Sequence, residues 1–150
     1  SYVGLGGHSP NPTYEQVCSH STGHAETVRV VFDTAQTSAA ELVRLFFEIH
    51  DPTQVGGQGN DIGDQYRSAI WTTTPEQLRD ATALRAAYQE VLTKRGFGPI
   101  QTAISPAPDG DSTTRFWYAE DYHQQYLFKN PGGYECHART GVACPALPHE

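Results

Sequence analysis

Residues 51–64, DPTQVGGQGNDIGD, hold a proline, four glycines, Asn60 and the acids Asp61 and Asp64, and neither a helix nor a central strand can run through them. Any fold of this chain must therefore carry a long loop here, with separate elements on either side, and loops of this length are commonly functional. Upstream, Ser38 with Glu41 three residues on makes a capping box. Leu42, Leu45, Phe46 and Ile49 then recur at helical spacing and predict a helix over 39–49. Downstream, residues 67–73 read as a strand. Thr74, Pro75 and Gln77 then start a second helix, whose apolar face of Leu78, Leu84, Tyr88 and Val91 continues until Gly96 stops it.

The rest of the chain has shorter signals. Gly4, Gly6, Gly7, Pro10 and Pro12 predict an irregular loop over 1–21. Thr27, Val28, Val30 and Val31 predict a strand over 24–32 that Asp33 closes, and further strands are expected at 100–104 and 115–118. A helical turn is expected over 120–127, and glycine- and proline-rich coil follows Asn130. Strands and helices mixed in this way predict an α+β fold. At 150 residues with 37% hydrophobic content, the chain is expected to form one domain over 1–150 with a modest core.

Charge and cysteine usage exclude several classes of function. The net charge is -7, and the ten Lys and Arg are scattered among acids rather than gathered into a stripe, so no nucleic-acid partner is expected. No apolar run approaches the roughly 20 residues that span a bilayer, so no membrane partner is expected either. Three cysteines, two of them close together near the end, do not make the disulfide framework of a small secreted domain. A soluble protein in a reducing compartment, the cytoplasm, fits better.

Four clusters carry candidate chemistry. In residues 10–26, Glu26 sits at the start of a strand, where desolvation would raise its pKa and keep a proton available, although a surface glutamate at a strand end is the plainer reading. Residues 58–68 join a glycine turn to Asp61 and Tyr66, an acid and a phenol suited to a small polar ligand; a turn closed by Asn60 and Asp61 is the alternative. Residues 120–127 are explained by helical packing. His24, His50, His123 and His137 show no metal-ligand spacing, so no metal is expected. Cys136 and Cys144, with Gly141 between them in coil, can meet one another or a third sulfur as thiol–disulfide exchange requires, or be two unrelated free thiols.

Six strings in order, NPTYEQVC (11–18), GHAE (23–26), HDPTQ (50–54), QGNDIGDQYRS (58–68), AEDYHQQYL (119–127) and KNP (129–131), resemble the A-type peptide methionine sulfoxide reductases nearly end to end. The resemblance implies an enzyme without a cofactor. It would reduce the S epimer of methionine sulfoxide, free or in proteins, and regain its thiols from a thioredoxin-like reductant. Tyr14, Glu26, Asp61 and Tyr66 fall on the positions that hold the sulfoxide oxygen, with Glu26 as proton donor. Cys136 and Cys144 fall on the recycling cysteines, and Cys18 on a position not generally required. The implied fold is a ferredoxin-like split β-α-β core with an extra helix and a coiled C-terminal tail.

The sequence departs from that family in one important respect. The family's nucleophilic cysteine lies in a Gly-Cys-Phe-Trp-Gly string, and these 150 residues contain none. Trp71 and Trp117 stand elsewhere. The expectation is that the first strand and helix of the core, with the nucleophile, precede Ser1, and that residues 1–150 alone do not turn over. A binding module that recognises sulfoxide without reducing it is the alternative. A zinc protein using Cys136, His137 and Cys144 is a third reading, whose ligand spacing fits no common structural site.

Overall fold

The computed structural model describes residues 2–5, 7, 9, 11–107, 117–135 and 138–148. Helix α2 (Ala39–Glu48) begins at the expected capping box: the Glu41 N–H donates to Ser38 Oγ and the Ser38 N–H to Glu41 Oε2, each at 3.1 Å. Helix α3 (Pro75–Lys94) starts with Thr74 as its cap and proline in its first turn. The two pack on one another. Ala40, Val43, Phe46 and Phe47 of α2 meet Leu84, Tyr88 and Leu92 of α3, and the tail closes over them with Val142, Cys144 and Leu147. The buried stripe of α2 is thus rotated from the expected one, and Leu45 and Ile49 are exposed. On α3, Leu92 rather than Val91 is buried.

Strands are shorter than the sequence suggests. In the first sheet, β1 (Tyr2–Leu5) lies between β2 (Ala25–Thr27) and β7 (Trp117–Tyr118), antiparallel to both. The hairpin β3 (Gly57–Gln58) and β4 (Asp61–Ile62) forms a second sheet, and β5 (Ala69–Thr72) pairs in parallel with β6 (Ala103–Pro106) across α3 in a third. Mixed helices and small sheets make this an α+β fold.

Several boundaries correct the sequence reading. Residues 1–21 are not loop throughout, since they contain β1 and the short helix α1 (Tyr14–Cys18), which starts at a capping box of Thr13 and Gln16. The strand expected over 24–32 ends at Thr27, the last residue with a partner on the four-residue β1, and Val28, Val30 and Val31 are left 70%, 55% and 85% exposed. The strand expected at 100–104 runs over Ala103–Pro106, where β5 offers partners. In the last helical segment, Gln125 is left-handed (φ 53°), so residues 121–125 form turns and α4 spans only Tyr126–Lys129. Residues 115 and 116 lie outside the described residues.

Two buried histidines join these parts. His50 donates from Nδ1 to the Phe46 carbonyl (2.7 Å), while Nε2 accepts from Ser68 Oγ (2.8 Å), itself bonded to Thr102 Oγ1 (2.7 Å). Burial holds its pKa below the usual value, so the ring is neutral in this network. His24 accepts the Gly7 N–H at Nδ1 (3.1 Å) and donates from Nε2 to the Ser9 carbonyl (2.7 Å), pinning the glycine loop to the start of β2.

Candidate active site

The candidate cavity forms where short elements from the first and second sheets meet. Tyr14 is the first residue of α1, Glu26 lies on β2, Asp61 on β4, and Tyr66 ends a 3-10 turn over Asp64–Tyr66. All four line a cavity of about 270 Å³, together with Gln58, Gln65 and His123. Trp71 and Trp117 are not among its lining residues.

Local hydrogen bonds hold these elements in place. Gln54 clamps the hairpin tip, accepting the Gly59 N–H at 2.7 Å and donating to its carbonyl at 3.1 Å. Gly57 must be glycine because a Cβ there would collide with the Asp61 carbonyl. Gln58 Nε2 donates to the Tyr66 carbonyl (3.2 Å), and Arg67 donates to the carbonyls of Gly23 (3.0 Å) and Asp64 (2.9 Å), tying the 3-10 turn to the strand that carries Glu26.

Glu26 answers to both sequence readings. It is exposed as a residue, on β2 at the edge of its sheet. Its carboxyl still lies against the cavity wall. Lost hydration there, and secondarily the charge of Asp61, hold its pKa above the ordinary carboxylate value. The Tyr66 phenol is likewise raised, chiefly by burial and then by Glu26. The Tyr14 phenol is raised furthest, first by a hydrogen bond with the Cys18 thiol, then by burial and nearby negative charge. The Tyr14 phenol offsets part of the rise at Tyr66. Both remain protonated donors throughout the neutral range, beside a carboxyl that retains its proton to higher pH than a free glutamate. Such a group can donate hydrogen bonds to one polar oxygen and deliver a proton to it.

Three contacts escaped the sequence reading. Cys18 reaches Tyr14 because residues four apart share a helix face, a spacing that was available in the sequence. The Glu120 carboxylate accepts the Tyr14 N–H at 3.0 Å, and the Tyr134 hydroxyl donates to Asp61 Oδ2 at 3.1 Å. These last two span 106 and 73 residues, so nothing local announced them.

Cys18 acts on the cavity through Tyr14, whereas Cys144 stands apart from it. Cys144 is not a mobile coil thiol. It is 1% exposed in the α2–α3 core, its N–H donates to Glu48 Oε1 (2.8 Å), and its carbonyl accepts from Arg44 Nε (3.2 Å). Burial, with Glu48 adding to it, pushes its thiol pKa up to about 11. Cys136 and His137 lie outside the described residues. Among the described residues no three His, Cys, Asp or Glu side chains converge as metal ligands, and no helix is long and apolar enough to cross a membrane.

Comparison with known proteins follows the same residues. The model of the family described as peptide methionine sulfoxide reductase matches residues 2–147. The peptide methionine sulfoxide reductase MsrA of Rhodospirillum centenum is 57% identical over 140 residues, covering 93% of this chain and 61% of that protein. The human mitochondrial peptide methionine sulfoxide reductase is 54% identical, over 93% of this chain and 57% of that protein. The solved structure of methionine sulfoxide reductase A of Corynebacterium diphtheriae superposes with a TM-score of 0.80 at 46% identity, covering 97% of this chain and 70% of that one. The reduced form of Mxr1 from Saccharomyces cerevisiae gives 0.73 at 35% identity, covering 92% and 72%. The chain spans about 61% of the length of the first of these relatives.

Proposed function

The chain belongs to the peptide methionine sulfoxide reductase family, and from that premise we propose that its cavity holds the oxygen of methionine S-sulfoxide and delivers the proton needed for its reduction. The observation that carries the proposal is the convergence of Tyr14, Glu26, Asp61 and Tyr66 on one cavity of about 270 Å³, with both phenols protonated and the Glu26 pKa held above the ordinary carboxylate value.

In the proposed step a cysteine thiolate attacks the sulfoxide sulfur. Tyr14 and Tyr66 donate hydrogen bonds to the oxygen, and Glu26 gives it a proton. The oxygen leaves the substrate sulfur as the hydroxyl of a cysteine sulfenic acid, and methionine is released. Protonation is essential because oxide is too poor a leaving group. Asp61 orders the oxygen's surroundings and keeps the Glu26 pKa raised. Cys136 then forms a disulfide with the oxidised nucleophile, losing water. Cys144 exchanges into that disulfide and passes it to a thioredoxin-like reductant in a reducing compartment such as the cytoplasm. With Cys144 buried in the core, this exchange requires the tail to lift off the α2–α3 face.

The attacking cysteine would lie in a Gly-Cys-Phe-Trp string, which these 150 residues do not contain. A segment bearing it would also supply the remaining strand and helix of a ferredoxin-like core in one domain with residues 1–150. Exposed Val28, Val30 and Val31 beside the edge strand, and Leu45 on α2 with Ile49 at its end, are the apolar surfaces it would cover.

The test is single-turnover reduction of each sulfoxide epimer, with methionine counted per chain. Residues 1–150 should release none. The same residues joined to a Gly-Cys-Phe-Trp-bearing N-terminal segment should release one equivalent from the S epimer and essentially none from the R epimer. A joined protein that reduces neither epimer, or both equally, contradicts the reading.

A further inference from the structure

Tyr14 stands on a five-residue helix, too short to hold a side chain rigidly by its own hydrogen bonds, and its position depends on a distant segment. The first turn of any helix leaves backbone N–H groups without intrahelical partners. In α1 the Gln16 N–H is taken by Thr13 Oγ1 at 3.2 Å, and the Tyr14 N–H is taken by Glu120 Oε1 at 3.0 Å, from the far end of the chain. Glu120 arrives there because residues 119–123 form a turn after β7, in which the His123 N–H donates to the Glu120 carbonyl (2.9 Å). The same turn sets the His123 ring 4.6 Å from the Tyr14 ring, and Ala119 packs on Val17 and Tyr14. One short segment therefore holds the Tyr14 backbone and one wall of its phenol.

The tie is tight on both sides. The Tyr14 N–H is the first influence holding the Glu120 pKa below the ordinary carboxylate value, and Oε2 of the same carboxylate is enclosed.

We propose that Glu120 is a positioning residue for the sulfoxide site, its carboxylate fixing the Tyr14 backbone so that the phenol points at the substrate oxygen. The inference rests on the sulfoxide reading of the cavity. It acts through the hydrogen-bond acceptor rather than through charge, so glutamine should replace glutamate and alanine should not.

The test uses the chain with tyrosine rings carbon-13 labelled and backbone amides nitrogen-15 labelled, titrated with dimethyl sulfoxide as the sulfoxide probe. The parent should show Tyr14 and Tyr66 ring signals moving together on titration, with a Tyr14 amide protected from hydrogen exchange. In E120A the Tyr14 amide should lose protection and sulfoxide affinity should fall roughly tenfold, about what one lost hydrogen bond is worth. E120Q should stay within about threefold of the parent. If E120A fails to fold, E120D, shorter by one methylene, should show the same losses at reduced size. A Tyr14 amide still protected and an affinity unchanged in E120A or E120D would overturn the proposal, as would E120Q falling as far as alanine. If the parent itself does not respond to dimethyl sulfoxide, the sulfoxide reading fails. The Tyr14 amide alone then decides whether Glu120 positions that residue.

Discussion

The cavity around Glu26 and the core around Cys144 handle ionisable groups in contrasting ways. Around Glu26, two phenols and two carboxyls share about 270 Å³, and each raised pKa comes from partial loss of water combined with a neighbouring acid or hydrogen bond. Around Cys144, a single thiol is 1% exposed against Phe47, Leu84, Tyr88 and Leu92, and burial alone accounts for most of its rise to about 11. The first environment keeps protons where chemistry can use them, since the cavity is open to a ligand. The second keeps a proton on a sulfur that nothing can reach until the tail moves. A raised pKa is therefore not by itself a mark of function. Access decides.

Replacing the proton donor should break the first half of that comparison with the largest effect. In a protein that carries the nucleophile, Glu26→Gln should slow reduction by about 10² to 10⁴ fold, the usual span for general acid catalysis, with little change in binding. Single-turnover rates against pH check this. The parent rate should fall as pH rises through the raised Glu26 pKa, because only the protonated carboxyl can donate, and the variant should lose that limb. An unchanged rate in Glu26→Gln would remove Glu26 from the mechanism.

The second half is broken by opening the core. Phe47→Ala should cost about 3 to 5 kcal/mol of stability. A thiol that reacts only through opening should then be labelled by an aromatic disulfide reagent at least 10²-fold faster, at 1.4 kcal/mol per tenfold. Cys18, only half-buried, should react quickly in both proteins and serves as the internal reference. Equal labelling rates for Cys18 and Cys144 in the parent would show that the tail is already open.

Smaller changes sharpen the contrast. Asp61→Asn removes the second influence on Glu26, so its pKa and the pH limb of activity should move down. The folded-state pKa of Glu26 lies above its unfolded value, so its contribution to stability is present at low pH and is lost as pH rises through that window. Asp61→Asn should flatten this loss in thermal melts run across the acidic range. The smallest effect is expected from Glu48→Gln. Its side chain can still accept the Cys144 N–H while its charge is gone, so the thiol pKa should fall only slightly, burial being the larger influence. A large fall, read by ultraviolet absorbance of the thiolate, would show that the thiol is less shielded than its packing implies.

What could be read from the sequence was whatever is set locally. Ser38 with Glu41, and Thr74 with Pro75, marked the starts of α2 and α3, because a capping box or an N-cap with a following proline is satisfied within one turn. The same signal at Thr13 and Gln16 marks α1 and lay hidden among glycines and prolines. Strand ends were misjudged because a strand lasts only as long as its partner. Val28 to Val31 have strand composition, yet β1 offers them nothing to pair with. Glu26, Asp61, Tyr14 and Tyr66 could be gathered into one list only through their resemblance to a family, since composition gave each a plainer reading. The ties of Glu120 to Tyr14 and Tyr134 to Asp61 depend on the folded chain and have no local trace.

The proposed chemistry turns on Glu26 holding a proton for a sulfoxide oxygen. Its most direct test is the carboxyl carbon-13 signal of Glu26, followed through pH with and without dimethyl sulfoxide. The midpoint should lie above that of an ordinary glutamate and rise further when the sulfoxide binds, because the bound oxygen stabilises the protonated form by accepting its hydrogen bond. A midpoint at the ordinary glutamate value that does not move on adding sulfoxide would contradict it.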